Sequence, residues 1–298
     1  MELANEPHNA VFVRQRIASS CVCCGSDDLV GSPAILMPFI ADRAFGWSPV
    51  FIDDSWGLKT IQNGHAYSIC KTLRCRQCEH MFCDIRFSEE EMNLIYGGYR
   101  EEAYVTLREY YEPGYRKRNE ALIRTVSYKE DVEKFVAPYI SDPLTILDWG
   151  GDTGANTPFE ARRVSLDIFD ISGKSVEGDA RVVTREQATS SKYRLIVCSQ
   201  ILEHIPHPSD TLLAVRDAMD ENSVLYIEVP FEEVMRHDVQ DREKLKRHWH
   251  EHVNFYSQAS MAALLENCGF DLVGWNILVV DVAGSEVHIL QAACRLGK

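Results

Sequence analysis

Thr145-Ile-Leu-Asp-Trp-Gly-Gly-Asp-Thr-Gly154 is a short apolar run, an acid, and then glycines. Such a run reads as a β-strand that breaks where glycine, lacking Cβ, lets the backbone approach a ligand closely. A helix is expected to follow, and its free N–H groups and positive dipole end suit an anionic group. The stretch predicts a nucleotide-sized site.

A glycine loop of this kind fits any tight strand-to-helix turn, so the segments after it decide. Val164-Ser-Leu-Asp-Ile-Phe-Asp-Ile-Ser172, Tyr193-Arg-Leu-Ile-Val-Cys-Ser-Gln-Ile-Leu-Glu-His204 and Ser223-Val-Leu-Tyr-Ile-Glu-Val-Pro230 are each a short apolar run leading into helix or loop material. That alternation builds a parallel sheet with its ligand at the C-terminal ends of the strands.

With these motifs in place, residues 145 to 294 resemble a class I S-adenosylmethionine (SAM)-dependent methyltransferase. The resemblance implies an α/β, Rossmann-like fold. It implies that Asp148, Gly150 and Gly154 form the acid-glycine loop at the cofactor, and that Asp170, ending the second strand, accepts from the ribose hydroxyls. Ser199 falls where the family places the cofactor's methyl group beside the substrate, and Leu202-Glu-His-Ile-Pro206 is another recurring feature. A carboxylate has acceptors for both hydroxyls of a vicinal diol. Asp152 stands where the family usually has its middle glycine. Only about nine residues separate Gly154 from the second strand, so the first crossover helix must be short. Asp179 follows Asp170 too closely for a helix and a strand to intervene, and takes no adenine role.

Composition sets outer limits. With 298 residues, 45% hydrophobic and 26% charged, the chain suits a soluble protein of two domains. A formal net charge of −14 disfavours nucleic acid as a partner. No apolar run nears the roughly 18 residues of a membrane span, and the start Met-Glu-Leu-Ala-Asn-Glu is no signal sequence. A cytoplasmic protein without a membrane partner is expected. Nothing in the sequence speaks to oligomeric state.

In such a setting the ten cysteines are ligands, core residues or reactive thiols rather than disulfides. Cys21-x-x-Cys24 and Cys75-x-x-Cys78 are two knuckles of the kind that close a four-thiolate zinc site, with Cys23, Cys70, His80 and Cys83 near enough to substitute. The zinc would be structural, since four protein ligands leave no open position. Between the knuckles, Gly31 to Gly64 is a loop-rich insertion whose Trp47 and Trp56 are expected in a core. Ser88 followed by acids starts a helix that Gly97-Gly98 stops. The tyrosines from Tyr99 to Tyr115 line a substrate entrance or an interface. Leu122, Val126, Val132, Phe135 and Val136 recur at helical spacing, and the chain ends in a strand pair, Ile277 to Asp281 and Val287 to Cys294. The expected division is a zinc-binding, substrate-covering domain at 1–100, a helical linker at 101–140 and a SAM-binding domain at 141–298.

Arg247-His-Trp-His-Glu-His-Val-Asn-Phe-Tyr-Ser257 is the most distinctive stretch. It resembles the His-Glu-His segment of the sugar C-methyltransferases, which also carry an N-terminal four-cysteine zinc domain. The resemblance implies that His252 is the general base with His250 and Glu251 as companions; Trp249 stands where that family can have tyrosine. Methylating carbon beside a carbonyl, or a hydroxyl, requires loss of a proton, and histidine titrates in the right range. His204 and Glu203 could contribute from the other side. A structural role for the segment, or a metal on His248, His250 and His252, are the competing readings. The larger sugar enzymes continue into a further domain, so a related two-domain enzyme on a sugar, nucleotide-linked sugar or glycan precursor is expected. The alternatives are an O- or N-methyltransferase of another small metabolite, or a non-catalytic SAM-fold scaffold.

Overall fold

The structure is a computed structural model describing residues 14–57, 62–125, 128–237, 240–282 and 284–297. Most of the expected N-terminal arm, and Val126 of the helical stretch, lie outside these residues.

The first part contains β1 (Leu29–Leu36), α1 (Pro38–Phe45), β2 (Val50–Ile52), β3 (Gly64–Ala66), β4 (Ile69–Cys75) and β5 (Met81–Cys83). Next come α2 (Glu89–Tyr96), α3 (Glu102–Tyr111), α4 (Tyr115–Thr125) and α5 (Lys129–Val136). Ser88 opens α2 with a reciprocal capping box, its hydroxyl on the Glu91 N–H and the Glu91 carboxylate on its own N–H.

The remainder runs β6 (Leu144–Trp149), β7 (Arg163–Phe169), β8 (Arg181–Val182), α6 (Arg185–Ser190), β9 (Leu195–Ser199), α7 (Pro208–Asp217) and β10 (Val224–Pro230). It closes with α8 (Glu233–Arg236), β11 (His248–Trp249), β12 (Asn254–Phe255), α9 (Gln258–Asn267), β13 (Phe270–Val282) and β14 (Ser285–Leu296).

The larger sheet has the order β13-β14-β10-β9-β6-β7-β8. β10, β9, β6, β7 and β8 are parallel, while β14 runs antiparallel to β10. Leu144, Ile146, Leu147, Leu195, Ile196, Val224, Leu225 and Ile227 are fully buried in it, as continuous apolar runs predict for strands covered on both faces. The chain moves outward from β6 to β8 and returns beside β6 as β9. That reversal opens a crevice at the C-terminal ends of β6 and β9.

Two expectations need correction here. No helix follows β6: residues 150–162 form only turns. Gly150, Asp152, Gly154 and Phe159 all have positive φ, which interrupts the consecutive right-handed residues that a helix nucleus requires. Trp47 and Trp56 are not in a core, being 40% and 51% exposed. Among the described residues β2 and β3 form a two-stranded sheet by themselves, too small to bury large rings on its own. The final strands, for their part, extend well beyond their apolar centres, because backbone pairing continues through polar positions and across an irregularity between Leu272 and Gly274.

The smaller sheet, β11-β1-β4-β5-β12, draws strands from both ends of the chain. β11 lies parallel to β1, and β12 antiparallel to β5. The distinctive histidine segment is therefore anchored at both ends in the cysteine-bearing sheet. Trp249 is fully buried there, and its indole N–H donates to Thr72 Oγ1 at 2.8 Å. No helix among the described residues is long and apolar enough to cross a membrane.

Candidate active site

β6 delivers Asp148 to the crevice and ends in the glycine loop. Gly150 and Gly154 have φ of 88° and 82°, and a Cβ on them would sit 2.4 Å from Ile201 Cδ1 and 2.5 Å from Ile168 Cδ1. Both positions demand glycine for conformation and for packing. Asp152, in place of the family's middle glycine, adopts φ 51°. Its N–H donates to Asp170 Oδ2 at 2.9 Å, and Lys174 pairs with its carboxylate at 2.9 Å. Neighbours thus hold the turn that glycine would adopt freely.

Asp170, just past β7, also accepts from the Ser172 N–H at 2.7 Å, so its two oxygens are each fixed by backbone while keeping further lone pairs. Asp148 is buried, accepts from the Thr157 hydroxyl at 2.6 Å, and has its pKa pushed up to about 7 by burial, with the Thr157 hydrogen bond opposing the rise. Asp179 is held by Arg163 at 2.6 Å on the surface. The Lys174 ammonium lies 5.6 Å from the Tyr99 ring centroid, which brings the start of the tyrosine-rich stretch to the glycine loop.

Ser199, ending β9, donates to Glu228, a fully buried acid on β10 that also accepts from Tyr128 at 2.8 Å and Tyr226 at 2.5 Å. Gln291 in turn donates to the Tyr226 hydroxyl at 2.7 Å. Sequence reasoning missed Glu228. Its signal was an acid inside the apolar run Val-Leu-Tyr-Ile-Glu-Val-Pro, since a buried carboxylate requires hydrogen-bond donors.

The loop after β9 and the loop between β11 and β12 are stitched together. The Asn254 amide donates to the carbonyls of Leu202 at 2.9 Å and Ile205 at 2.6 Å, and the Tyr256 hydroxyl donates to Leu202 at 3.0 Å. The Val253 N–H reaches the Glu203 carbonyl at 2.7 Å. As a result the rings of His204 and His252 meet edge to face at 4.6 Å between centroids.

His252 has its Nδ1 3.3 Å from Glu232 Oε1. Burial works to lower its pKa, but the hydrogen bond to Glu232 and the charges of Glu203 and Glu251 outweigh it, and the net shift is upward. His204 is pushed down to about 3, first by burial and then by His252, so it is neutral. Its Nδ1 is 2.6 Å from the Tyr96 hydroxyl.

The expected companions of His252 are turned elsewhere. His250 places Nε2 2.8 Å from Glu112 and Nδ1 against Glu251, while Arg108 of α3 pairs with Glu251 at 2.9 Å and Glu112 at 3.1 Å. Burial would lower the His250 pKa, but these carboxylates raise it to about 9, so it is an imidazolium at neutral pH.

A raised histidine pKa stabilises the fold fully below the unfolded value of 6.5 and ceases to do so as pH rises through about 9. Folding free energy is therefore expected to fall by on the order of 2 kcal/mol across that window. Denaturant unfolding at the two pH limits checks this, and His250→Gln should flatten most of the difference.

Cys21 and Cys78, and Cys24 and Cys75, have their sulfurs 3.5 Å apart, and all four sulfurs lie within 4.8 Å of one another. Tetrahedral zinc with bonds of about 2.3 Å would hold sulfurs about 3.8 Å apart, so the donor set fits. Cys70 and Cys83 form a separate group with Asp84, and His80 stacks between Phe82 and Tyr256.

A family model described as "Methyltransferase domain" matches residues 115–274, just over half the chain. No curated protein matches. Among solved structures the chain is similar to the glycopeptide N-methyltransferase MtfA complexed with SAM, at 10% identity over 58% of this chain and 96% of that one, TM-score 0.46. It is similar also to Burkholderia thailandensis 1,6-didemethyltoxoflavin-N1-methyltransferase, at 14% identity over 84% and 99%, TM-score 0.48. The matched segment carries the glycine loop, Asp170, Ser199 and both histidine loops, and the chain belongs to the methyltransferase-domain family as a SAM-dependent methyltransferase.

Proposed function

We propose that this methyltransferase acts on a sugar-like small molecule, a nucleotide-linked sugar or glycan precursor, in the cytoplasm. Asp148, Gly150, Gly154, Asp170 and Ser199 hold the cofactor, and His252 is the general base. The observation that carries the reading is the orientation of His252: its Nδ1 is taken by Glu232, which leaves the other ring nitrogen for a substrate proton. His204, neutral and facing it, closes the same space, while His250 and Glu251 tie the loop to α3.

In the reaction, an acceptor C–H or O–H bond breaks as its proton passes to His252. Bound SAM would supply the electrophilic methyl group, which would take up the freed electron pair as the sulfonium released it with the carbon–sulfur pair kept on sulfur. The net charge of −14 supports a small-molecule acceptor over nucleic acid. Structural zinc on Cys21, Cys24, Cys75 and Cys78 supports the N-terminal 1–100 region that covers the substrate, and 101–140 links it to the SAM-binding region 141–298.

The test is methyl transfer from labelled SAM to a panel of nucleotide sugars, with the methylated atom located by NMR of the product. His252→Gln should lower turnover by roughly 10²- to 10⁴-fold while SAM still binds. Unchanged turnover on an accepted substrate would remove His252 from the role.

A further inference from the structure

Glu203 is 2% exposed, and neither of its carboxylate oxygens has a hydrogen-bond partner among the described residues. A buried carboxylate in that condition calls for a proton or a cation. It does not lack neighbours. His204 Nε2 is 3.7 Å from Oε1, and one donor atom each from Glu203, His204 and His252 lies within 4.8 Å of the others. The other nitrogen of His204 is engaged by Tyr96 at 2.6 Å and by the Glu251 carbonyl at 3.1 Å. Glu228 of β10 and Glu232 beyond it add like charge around Glu203, and Tyr96, Tyr128 and Tyr256 also face it. The buried Glu203 carboxylate therefore sits against the imidazole pair.

We propose that Glu203 is a proton-relay residue for His252, a positioning residue that holds the imidazole's resting proton so that a ring nitrogen is free for substrate. The inference rests on His252 being the base. The imidazolium N–H bond breaks, its electron pair stays on nitrogen, and the proton bonds to the Glu203 carboxylate, across one water or one side-chain rotation. The freed nitrogen then takes the substrate proton as methyl transfer proceeds. The pair now holds one proton more than at rest, and that proton leaves to solvent once product departs. Burial, which pushes the Glu203 pKa up to about 7, brings the carboxyl into the range of a histidine.

Titration of the full-length protein, with ¹⁵N-labelled histidine and His252 assigned by His252→Gln, tests the coupling without a substrate. Glu203→Gln keeps shape and removes the charge, and it should lower the His252 midpoint by about one unit, tenfold in proton affinity. Glu203→Asp should give a smaller drop; SAM binding by calorimetry verifies that each variant is folded. A stationary His252 midpoint in a folded Glu203→Gln protein overturns the relay, leaving the base reading intact if His252→Gln is inactive. Unchanged turnover in His252→Gln removes base and relay together. A second zinc per chain, lost in Glu203→Gln, also overturns the relay by giving these lone pairs to a metal.

Discussion

SAM binding measured by calorimetry is expected to weaken by at least about a hundredfold in Asp170→Ala, about 2.7 kcal/mol. Two effects add. The ribose diol loses a charged acceptor, and hydrogen bonds to charged groups contribute roughly 1.5–3 kcal/mol each. The glycine loop also loses its tether, because the N–H groups of Asp152 and Ser172 both rest on this carboxylate, at 2.9 and 2.7 Å. Asp170→Asn, which keeps an acceptor, should lose less. Asp179→Ala should bind normally, since that side chain only pairs with Arg163 at the surface. Equal affinity in wild type and Asp170→Ala would remove the cofactor assignment of this residue.

Loss of the proposed zinc is expected to have the largest effect on stability. Protein purified without chelator should contain about one zinc per chain, and Cys75→Ser or chelation should lower the melting temperature by more than about 10 °C. The reason lies in where the sulfurs sit. Cys21, Cys75 and Cys78 belong to the same apolar cluster as Leu147, Trp149, Tyr256, Leu264 and Phe270. Without the metal the four sulfurs would lose the bonds that tie them together beside the large sheet's core, and the chain between Cys24 and Cys75 would lose its closure. Melting followed by tryptophan fluorescence should drop as one transition. Zinc-free protein as isolated, or an unchanged transition in Cys75→Ser, would end the structural-zinc reading.

Much of the architecture was legible before any tertiary information. Apolar runs near 145, 164, 195 and 224 became parallel strands, and Ser88 became a helix cap, because strand burial on two faces and end capping leave local marks. The missing helix after β6 was not legible, although Gly150 and Gly154 were. That outcome depended on Asp152 and Phe159 also adopting positive φ, which tertiary contacts impose on residues that otherwise avoid it. Within the candidate site, His252 and His204 were identified as residues, but Glu232 and Glu228 were not. An acid in or just after a strand reads as a surface residue until its burial and partners are known.

By itself the sequence determined the strand alternation, the positions that must be glycine and the paired cysteine spacing, since each depends on residues within a few positions of one another. Only the tertiary structure decided that β11 and β12 enter the N-terminal sheet, that His252 answers to Glu232 while His250 is bound to Glu112 and Glu251, and that the Glu203 carboxylate has no hydrogen-bond partner among the described residues. Those outcomes join residues far apart along the chain, and a histidine's charge follows from the carboxylates and burial around it rather than from its neighbours in sequence.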